Sequence, residues 1–262
     1  MNAKPIGIFD SGVGGTSIWK EIHTLLPYED TIYLADSKNA PYGQKTKEEI
    51  ISLSVKNTEL LLSRGCKLIV VACNTATTNA ISYLRENYKV PFIGIEPAIK
   101  PAALNSGTGT VGVLATKGTL SSSLFLKTSK DHAGEITLVE QEGVGLVPLI
   151  ESGKINSAET KQLLINYIKP MLEANMDHMV LGCTHYPYLI PVLREILPPH
   201  VKIIDCGAAV AKQTLTVLNK ENLQNPKKTP GEIQFYTNKD TKILTSFLQD
   251  VDELKQIEYL NF

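Results

Sequence analysis

Two halves of this chain of 262 residues resemble one another, and this internal repeat constrains the fold more than any other feature of the sequence. Residues 111–116 resemble residues 6–11, and the apolar segment that ends at Cys183 repeats the segment that ends at Cys73. Two further pairs of apolar segments follow in the same order, residues 136–139 with the segment that begins at Thr31 and residues 201–205 with residues 91–95. Four matches at nearly constant spacing predict two similar lobes.

The repeated segments are short, rich in Val and Ile, and alternate with segments of helical periodicity such as residues 47–64. Strands that alternate with helices form parallel sheets with helices on both faces. The predicted fold class is therefore α/β, with two pseudo-symmetric lobes, each a mainly parallel sheet flanked by helices. We expect the active site in the cleft between the lobes.

Two prolines follow the fourth predicted strand, and we expect the chain to cross between the lobes there. The C-terminal segment is too short to form a lobe of its own, so we expect it to pack on the first lobe. The predicted first lobe comprises residues 1–97 and 208–262 and carries Cys73. The predicted second lobe comprises residues 98–207 and carries Cys183.

The charge balance argues against several classes of partner. The chain has 26 Lys and Arg against 27 Asp and Glu, which gives a formal net charge of -1. No apolar run approaches the roughly 20 residues that span a bilayer, and the first residues lack the pattern of a signal peptide. We therefore expect no nucleic-acid partner, no membrane partner and a cytoplasmic location.

The four cysteines are spread along the chain without a CxxC pair, which disfavours a zinc site and a disulfide framework. Cys73 and Cys183 stand where predicted strands give way to polar turns, and open α/β sheets bind ligands at that edge. A single cysteine in such a place is most often a small buried apolar side chain. Two cysteines in equivalent places, however, put one thiol on each side of a small ligand in the cleft.

Such a pair of thiols suits inversion at a carbon centre, where a base removes a proton from one face and an acid returns a proton to the other. The ordinary pKa of cysteine is about 8.5, so a thiolate and a thiol can coexist near neutral pH. The α-proton of an amino acid is a far weaker acid than any side chain. The site must therefore exclude water and direct fixed dipoles at the substrate carboxylate.

A glycine-rich turn follows the first predicted strand. Asp10 ends the strand, and Gly12, Gly14 and Gly15 follow it. The turn lacks the spacing of a dinucleotide or phosphate loop, so it is a weak indication of nucleotide binding. It does offer close backbone approach and free N–H groups at a helix start, where a carboxylate is favoured.

Polar residues adjoin both predicted thiol positions. Asp10 places a charge near the first thiol, and His185 places an imidazole near the second, although a ring that only hydrogen-bonds behind the site is the alternative for His185. Glu151 follows a strand-like segment, residues 146–150, and a solvated loop carboxylate is the favoured interpretation from sequence alone. The neutral donors and acceptors for an amino-acid ligand are Ser11, Asn74, Thr75, Thr116 and Thr184.

Tyr42 stands between Pro41 and Gly43 in a loop after the second predicted strand. The proline and the glycine restrict the loop and hold the tyrosine in one orientation. Two interpretations are equally open, a contact with the ligand and an aromatic ring that caps the edge of the core.

Four segments together resemble the cofactor-independent aspartate/glutamate racemase family, and the resemblance extends from about residue 6 to residue 206. The segments are residues 8–15 (IFDSGVGG), 41–43 (PYG), 72–76 (ACNTA) and 181–187 (LGCTHYP). The resemblance implies an enzyme that interconverts L- and D-glutamate without a metal or pyridoxal phosphate. It also implies a homodimer that supplies D-glutamate for peptidoglycan.

The resemblance further implies roles for individual residues. It makes Cys73 and Cys183 the paired acid and base, with Asp10 and His185 assisting the nearer thiol and Glu151 as a possible assistant. For L-glutamate, it implies that Cys183 removes the α-proton and that Cys73 reprotonates the opposite face. The implied substrate contacts are Asp10, Ser11, Tyr42, Gly43, Asn74, Thr75, Thr116, Thr184 and His185.

Three positions depart from the usual pattern of the family. Thr16 and Tyr188 stand where leucine is common, and Cys206 stands where serine is frequent. None of the three adjoins the predicted acid and base, so we interpret them as changes in packing.

The nearest alternative function is an aspartate racemase. A two-lobed binding protein would leave the matched thiols without a purpose, and a pyridoxal enzyme would need a lysine at one of the two strand ends.

Overall fold

The computed structural model describes residues 2–132, 136–251 and 255–262, which form two separate sheets covered by helices. The strands are β1 (Ile6–Asp10), β2 (Thr31–Ala35), β3 (Leu68–Val71), β4 (Phe92–Gly94), β5 (Thr110–Ala115), β6 (Thr137–Glu142), β7 (His178–Gly182), β8 (Lys202–Ile204), β9 (Ile233–Thr237) and β10 (Lys255–Tyr259). The helices are α1 (Thr16–Leu25), α2 (Lys47–Ser63), α3 (Asn74–Asn87), α4 (Ile99–Asn105), α5 (Lys117–Leu120), α6 (Ser123–His132), α7 (Leu146–Glu151), α8 (Ala158–Glu173), α9 (Ile190–Ile196), α10 (Gly207–Lys220) and α11 (Thr241–Ser246).

The strands of the four-stranded sheet have the same order as four adjacent strands of the six-stranded sheet. The strand pairs within both sheets are parallel. The six-stranded sheet has the order β10-β9-β2-β1-β3-β4, and the four-stranded sheet has the order β6-β5-β7-β8. The strands β2-β1-β3-β4 therefore correspond to β6-β5-β7-β8, as the sequence repeat predicts. The predicted α/β class with two lobes is confirmed. We call the six-stranded sheet with its helices the first lobe and the four-stranded sheet with its helices the second lobe.

The strands of the C-terminal segment join the sheet of the first lobe. β9 pairs with β2, and β10 pairs with β9, so both strands extend the first sheet beyond β2. α10 packs against α1 and contacts β4. The chain therefore passes between the sheets after β4 and again after β8, while the lobe boundaries near residues 97 and 207 stay a prediction.

The helix that follows β3 begins earlier than the sequence pattern suggests. Helical periodicity in the sequence begins at residue 76, whereas α3 begins at Asn74, and Cys73 is its N-cap residue. The Sγ atom of Cys73 accepts a hydrogen bond from the backbone N–H of Ala76 at 3.4 Å. Asn74 and Thr75 therefore belong to the first turn of α3 rather than to a loop. None of the helices in the described part of the chain is long and apolar enough to cross a membrane.

Residues 146–150 form part of α7, so the predicted strand is wrong. Gly145 precedes this helix with a φ of 81°, a left-handed conformation that favours glycine. A short apolar run has no periodicity that separates a strand from a buried helix, and this is why the pattern misled. The helix places Glu151 at its last residue.

One apolar core joins the two lobes. It contains Ile8 and Val70 from the first sheet and Leu114 and Leu181 from the second, all of them buried. Two further clusters of buried apolar residues cover the other face of each sheet. Continuous packing between the lobes brings the carboxyl ends of β1, β3, β5 and β7 to a common region.

Candidate active site

A cavity lies between the lobes, where the carboxyl ends of β1, β3, β5 and β7 meet. The residues that line it are Ser11, Pro41, Tyr42, Gly43, Cys73, Asn74, Thr75, Thr116, Val147, Cys183, Thr184 and His185.

The Cys73 thiol belongs to the first lobe, between β3 and α3. Its Sγ–H donates a weak hydrogen bond to Oγ of Ser11 at 3.7 Å. Burial, followed by the charge of the Asp10 carboxylate, raises the pKa of Cys73 well above its ordinary value. The thiol is therefore protonated at neutral pH and can donate a proton.

The Cys183 thiol belongs to the second lobe and has a basic neighbour. Its Sγ lies 3.8 Å from Nδ1 of His185, and Nε2 of His185 lies 2.7 Å from Oε1 of Glu151. Burial alone would lower the pKa of His185, but the contacts with Cys183 and Glu151 outweigh burial and raise this pKa well above its ordinary value. Burial would raise the pKa of Glu151, and its hydrogen bond with His185 lowers it instead. The contacts with Cys183 and Glu151 therefore favour the charged form of His185, and its Nδ1 faces the Cys183 sulfur.

The glycine-rich turn after β1 makes room for the Glu151–His185 pair. The N–H of Val13 donates to Oε1 of Glu151 at 2.8 Å. A methyl group on Gly12 would overlap the Glu151 carboxylate, and one on Gly14 would overlap the His185 ring. The solvated carboxylate predicted for Glu151 is therefore wrong, because its side chain is only 11% exposed. Its backbone donor lies 138 residues earlier in the chain, and no local sequence signal indicates such a contact.

Asp10 connects the glycine-rich turn to the second lobe. Its Oδ2 accepts hydrogen bonds from the N–H groups of Gly12 at 3.1 Å and Gly15 at 2.9 Å. Its Oδ1 accepts a hydrogen bond from the hydroxyl of Thr184 at 3.3 Å. Burial raises the pKa of Asp10, and the charge of His185 lowers it in part. The carboxylate thus lies behind the cavity wall, between the segments that carry the two thiols.

The side-chain amide of Asn74 lines the cavity without a hydrogen-bond partner among the described residues. The residue is only 2% exposed. A buried polar group without a partner costs about 1–3 kcal/mol. Both the nitrogen and the oxygen of this amide are therefore available to a polar ligand in the cavity.

Three threonine hydroxyls join the lobes at one side of the cavity. The Oγ1 atom of Thr75 lies 2.8 Å from Oγ1 of Thr116 and 3.3 Å from Oγ1 of Thr119. The Oγ1 atoms of Thr116 and Thr119 are 3.1 Å apart. Gly43 packs so closely here that a Cβ on it would lie 2.9 Å from Cβ of Thr116. Sequence reasoning missed Thr119, although its place after β5, in the counterpart of the glycine-rich turn, is a signal that could have found it.

Tyr42 lies in the cavity wall with its hydroxyl already hydrogen-bonded. The hydroxyl donates to Oδ2 of Asp36 at 2.5 Å and accepts from Nδ2 of Asn57 at 3.1 Å. Burial, followed by the charge of Asp36, raises the pKa of Tyr42 well above its ordinary value. The ring is therefore a fixed, neutral wall of the cavity. No sequence motif marks Asp36 or Asn57, which hold it.

The four cysteines have distinct environments. All are buried and unpaired. Cys66 lies in an apolar cluster of the first lobe, and Cys206 lies in the core that joins the lobes. Cys73 and Cys183 are the two that line the cavity. In the described ranges, no group of three or more His, Cys, Asp and Glu side chains is arranged to hold a metal ion.

Known proteins share this sequence over most of its length. A sequence model described as Asp/Glu/Hydantoin racemase matches residues 6–214. The chain belongs to this racemase family. A glutamate racemase of Herpetosiphon aurantiacus is 47% identical over 240 residues, which cover 92% of this chain and 94% of that protein. The predicted class of enzyme, an isomerase, is confirmed.

Solved structures of family members share the fold. A glutamate racemase of Escherichia coli, in complex with L-glutamate and the activator UDP-MurNAc-Ala, matches with a TM-score of 0.87 and 33% identity, covering 98% of each chain. A glutamate racemase of Francisella tularensis in complex with D-glutamate matches with a TM-score of 0.85 and 29% identity, covering 99% of this chain and 98% of that one. The two-lobed arrangement is therefore the fold of the racemase family.

The site residues that sequence reasoning selected converge on the racemase cavity. Those that line it are Ser11, Tyr42, Gly43, Cys73, Asn74, Thr75, Thr116, Cys183, Thr184 and His185. Asp10 and Glu151 lie behind the wall and contact residues that line it. Sequence reasoning missed Pro41 and Val147 as parts of the wall, because apolar side chains in loops and short helices carry no signal of a ligand.

Proposed function

We propose that this racemase interconverts L- and D-glutamate with Cys73 and Cys183 as the paired acid and base. The observation that carries the proposal is the position of two thiols, from equivalent strand ends of two lobes, in the walls of one small cavity. Each thiol has a different charged neighbour, Asp10 in one case and His185 in the other. The two solved relatives hold L-glutamate and D-glutamate, and this supports glutamate as the small-molecule substrate.

Cys183 removes the α-proton of L-glutamate in this proposal. The His185 imidazolium, held by Glu151, stabilises negative charge on the Cys183 sulfur, and the thiolate takes the α-proton. The Cys73 thiol, which its raised pKa keeps protonated, donates its proton to the opposite face of the α-carbon. Cys183 then carries the abstracted proton and Cys73 is the thiolate, so the enzyme is ready for D-glutamate.

The remaining polar groups bind the substrate and stabilise the carbanion-like transition state. Their hydroxyls and amide are neutral, so they can donate to the two carboxylates and accept from the ammonium group. Most of the residues that line the cavity are buried, and burial strengthens each of these interactions. The proposed substrate contacts in the cavity wall are Ser11, Tyr42, Gly43, Asn74, Thr75, Thr116, Thr184 and His185. Asp10, which the family resemblance also implies as a contact, lies behind this wall and acts through its neighbours.

Asp10 and Glu151 support the two thiols from behind the wall. The negative charge of Asp10 favours the protonated form of Cys73, so Asp10 assists the first lobe's thiol as an acid. Glu151 holds the imidazole of His185 in place and favours its charged form, so Glu151 assists the second lobe's thiol as a base. The two carboxylates therefore act on different thiols, Asp10 directly on Cys73 and Glu151 through His185.

We further propose that the enzyme is a cytoplasmic homodimer that supplies D-glutamate for peptidoglycan. It requires no metal or cofactor in this proposal, and it has no nucleic-acid or membrane partner. Light scattering after size-exclusion chromatography measures the mass in solution and tests the dimer. Deletion of the gene in its host, with growth restored by added D-glutamate, tests the biosynthetic role.

The reaction is tested with purified protein, a metal chelator and either L-glutamate or L-aspartate, by following optical rotation. We expect racemisation of L-glutamate, with deuterium from heavy water at the α-carbon of the product. Cys73→Ala and Cys183→Ala should each abolish racemisation. Cys66→Ala is the matched control, because this buried thiol lies outside the cavity, and it should retain the parent's activity.

The outcomes separate the competing interpretations. Racemisation near the parent rate by either single cavity variant would show that the two-thiol mechanism is wrong. Turnover of L-aspartate in preference to L-glutamate would make the chain an aspartate racemase. Binding of either amino acid without inversion would make it a binding protein.

A further inference from the structure

A hydrogen bond joins Thr16 in the first lobe to Tyr188 in the second. The Oγ1 atom of Thr16 and the hydroxyl oxygen of Tyr188 are 2.5 Å apart. Thr16 also donates its hydroxyl hydrogen to the carbonyl of Val13 at 2.6 Å. Tyr188 must therefore supply the hydrogen that lies between the two hydroxyls.

The ring of Tyr188 is held by side chains of the first lobe. Phe247 meets it edge-on with ring centroids 4.5 Å apart, and Nζ of Lys20 lies 5.7 Å from its centroid. Lys20 also forms an ion pair with Asp250 at 2.6 Å. Burial raises the pKa of Tyr188, so its hydroxyl stays a hydrogen donor through the neutral range. These contacts hold the hydroxyl in place rather than letting the side chain swing between rotamers.

This hydrogen bond lies beside the segments that hold Glu151 and His185. Val13, which accepts the hydrogen bond from Thr16, donates its own N–H to Glu151 at 2.8 Å. Tyr188 follows His185 by three residues, and its backbone N–H donates to the His185 carbonyl at 3.2 Å. Thr16 is therefore linked to Glu151 by two hydrogen bonds through Val13, and Tyr188 is linked to His185 by one.

We propose that Thr16 and Tyr188 are positioning residues for the racemase reaction, whose hydrogen bond sets the position of His185 against Cys183. The inference rests on the proposed function and deepens it. The sulfur and Nδ1 are 3.8 Å apart, a distance at which a small displacement weakens the interaction strongly. A misplacement of about 1 Å in a reacting group can cost about a hundredfold in rate.

The test removes each partner with little change of shape. Thr16→Val and Tyr188→Phe should each lower kcat for L-glutamate about five- to tenfold, with KM changed less than about twofold. Since both variants break the same bond, the double variant should lose no more than the larger single loss. Thr16→Ser keeps the hydroxyl and should retain the parent's kcat.

A matched control separates positioning from stability. Thr214 is as fully buried as Thr16, but its hydroxyl donates to the carbonyl of Val210 at 2.8 Å within α10. Thr214→Val should lower the melting temperature about as much as Thr16→Val does and leave kcat unchanged. If kcat falls in both Thr16→Val and Thr214→Val in proportion to the loss of melting temperature, Thr16 has a structural role only.

Two further outcomes would overturn the inference. Unchanged kcat in both single variants would show that the bond does not position His185, and so would losses that multiply in the double variant. The parent's turnover of glutamate is measured first in the same assay. Its absence would overturn the proposed function, whereas turnover by the parent with unaffected variants would overturn the positioning role alone.

Discussion

Glu151 and His185 form a buried pair in which Oε1 of the carboxylate lies 2.7 Å from Nε2 of the ring. The pair leaves Nδ1 of the ring to face the sulfur of Cys183 at 3.8 Å. A carboxylate behind a histidine fixes both the orientation and the charge of the ring. The chemistry proposed for Cys183 therefore depends on a residue that does not line the cavity.

Replacement of Glu151 by glutamine should move the pH profile of the reaction. Glutamine can still accept a hydrogen bond from Val13, but it lacks the charge that raises the pKa of His185. The ring should therefore lose its proton at a lower pH than in the parent. We expect kcat/KM for L-glutamate to fall about tenfold or more at neutral pH, with its alkaline limb shifted to lower pH. Superimposable profiles of variant and parent would contradict this role for the carboxylate.

Alanine at Gly14 should disable the site through sterics alone. Its methyl group would overlap the His185 ring, so the imidazole must move away from Cys183. We expect about a hundredfold loss of kcat and a loss of about 1–3 kcal/mol in the free energy of unfolding. Gly107→Ala is the control, because a Cβ there would lie 3.6 Å from Asp177, an ordinary contact. Equal effects of the two substitutions on kcat would refute the steric explanation.

Alanine at Asn74 should weaken binding of glutamate without weakening the fold. The buried amide has no partner in the described part of the protein, so its removal should leave the free energy of unfolding unchanged or raise it by up to about 1–3 kcal/mol. KM for glutamate should rise about tenfold or more, because a hydrogen bond to a charged substrate is lost. Urea denaturation without substrate and steady-state kinetics measure the two quantities.

Asn79 in the same helix is the matched control for this prediction. Its side-chain amide donates to the carbonyls of Thr75 at 2.8 Å and Gly118 at 3.0 Å. Asn79→Ala should therefore lower the free energy of unfolding. If Asn74→Ala destabilises the substrate-free protein as much as Asn79→Ala does, the Asn74 amide has a structural rather than a binding role.

The free energy of unfolding should fall in alkaline solution, in part because of Cys66. Burial raises the pKa of this thiol to about 12, whereas an unfolded cysteine has a pKa of about 8.5. The folded protein therefore keeps a proton that the unfolded chain has lost, and the resulting stability disappears as the pH rises toward 12. Between these values, one such group contributes a slope of about 1.4 kcal/mol per pH unit.

Cys66→Ala tests this contribution through the slope rather than the absolute stability. Other buried groups titrate in both proteins, so the difference in slope between pH 9.5 and 11.5 isolates the thiol at about 1.4 kcal/mol per pH unit. Denaturant titrations at several pH values give the slopes. Equal slopes of the free energy of unfolding against pH in the variant and the parent would show that Cys66 does not ionise on unfolding in this range.

Local sequence patterns were sufficient for the sheets and for most of the cavity. Apolar runs that end at Cys73 and Cys183 repeat in the same order, and four strands of each sheet accordingly have equivalent positions. The family motifs supplied most of the residues that line the cavity. The strand predicted at residues 146–150 failed, because the positive φ of Gly145 and the packing of α7, rather than periodicity, decide its conformation.

The sequence does not predict contacts between residues that are distant in the chain. In the sequence, Thr16 and Tyr188 are two separate departures from the family pattern, and each indicates a change in packing. In the structure they form one hydrogen bond between positions 172 residues apart. The same reason explains why Glu151 was expected in solvent. Sequence alone predicts that a carboxylate is exposed, because the hydrogen-bond donors that would stabilise it in a buried position come from other parts of the chain.

The return of the C-terminal strands to the first sheet has a consequence for how the protein is made. β2 ends at Ala35, and β9, which pairs with it, begins at Ile233. The ribosome must add about 200 residues, roughly 10 to 40 s of synthesis at ordinary rates, before the edge of β2 can be covered. An uncovered strand edge is a template for association with other chains. The growing polypeptide therefore depends on its last strands to protect its earliest ones.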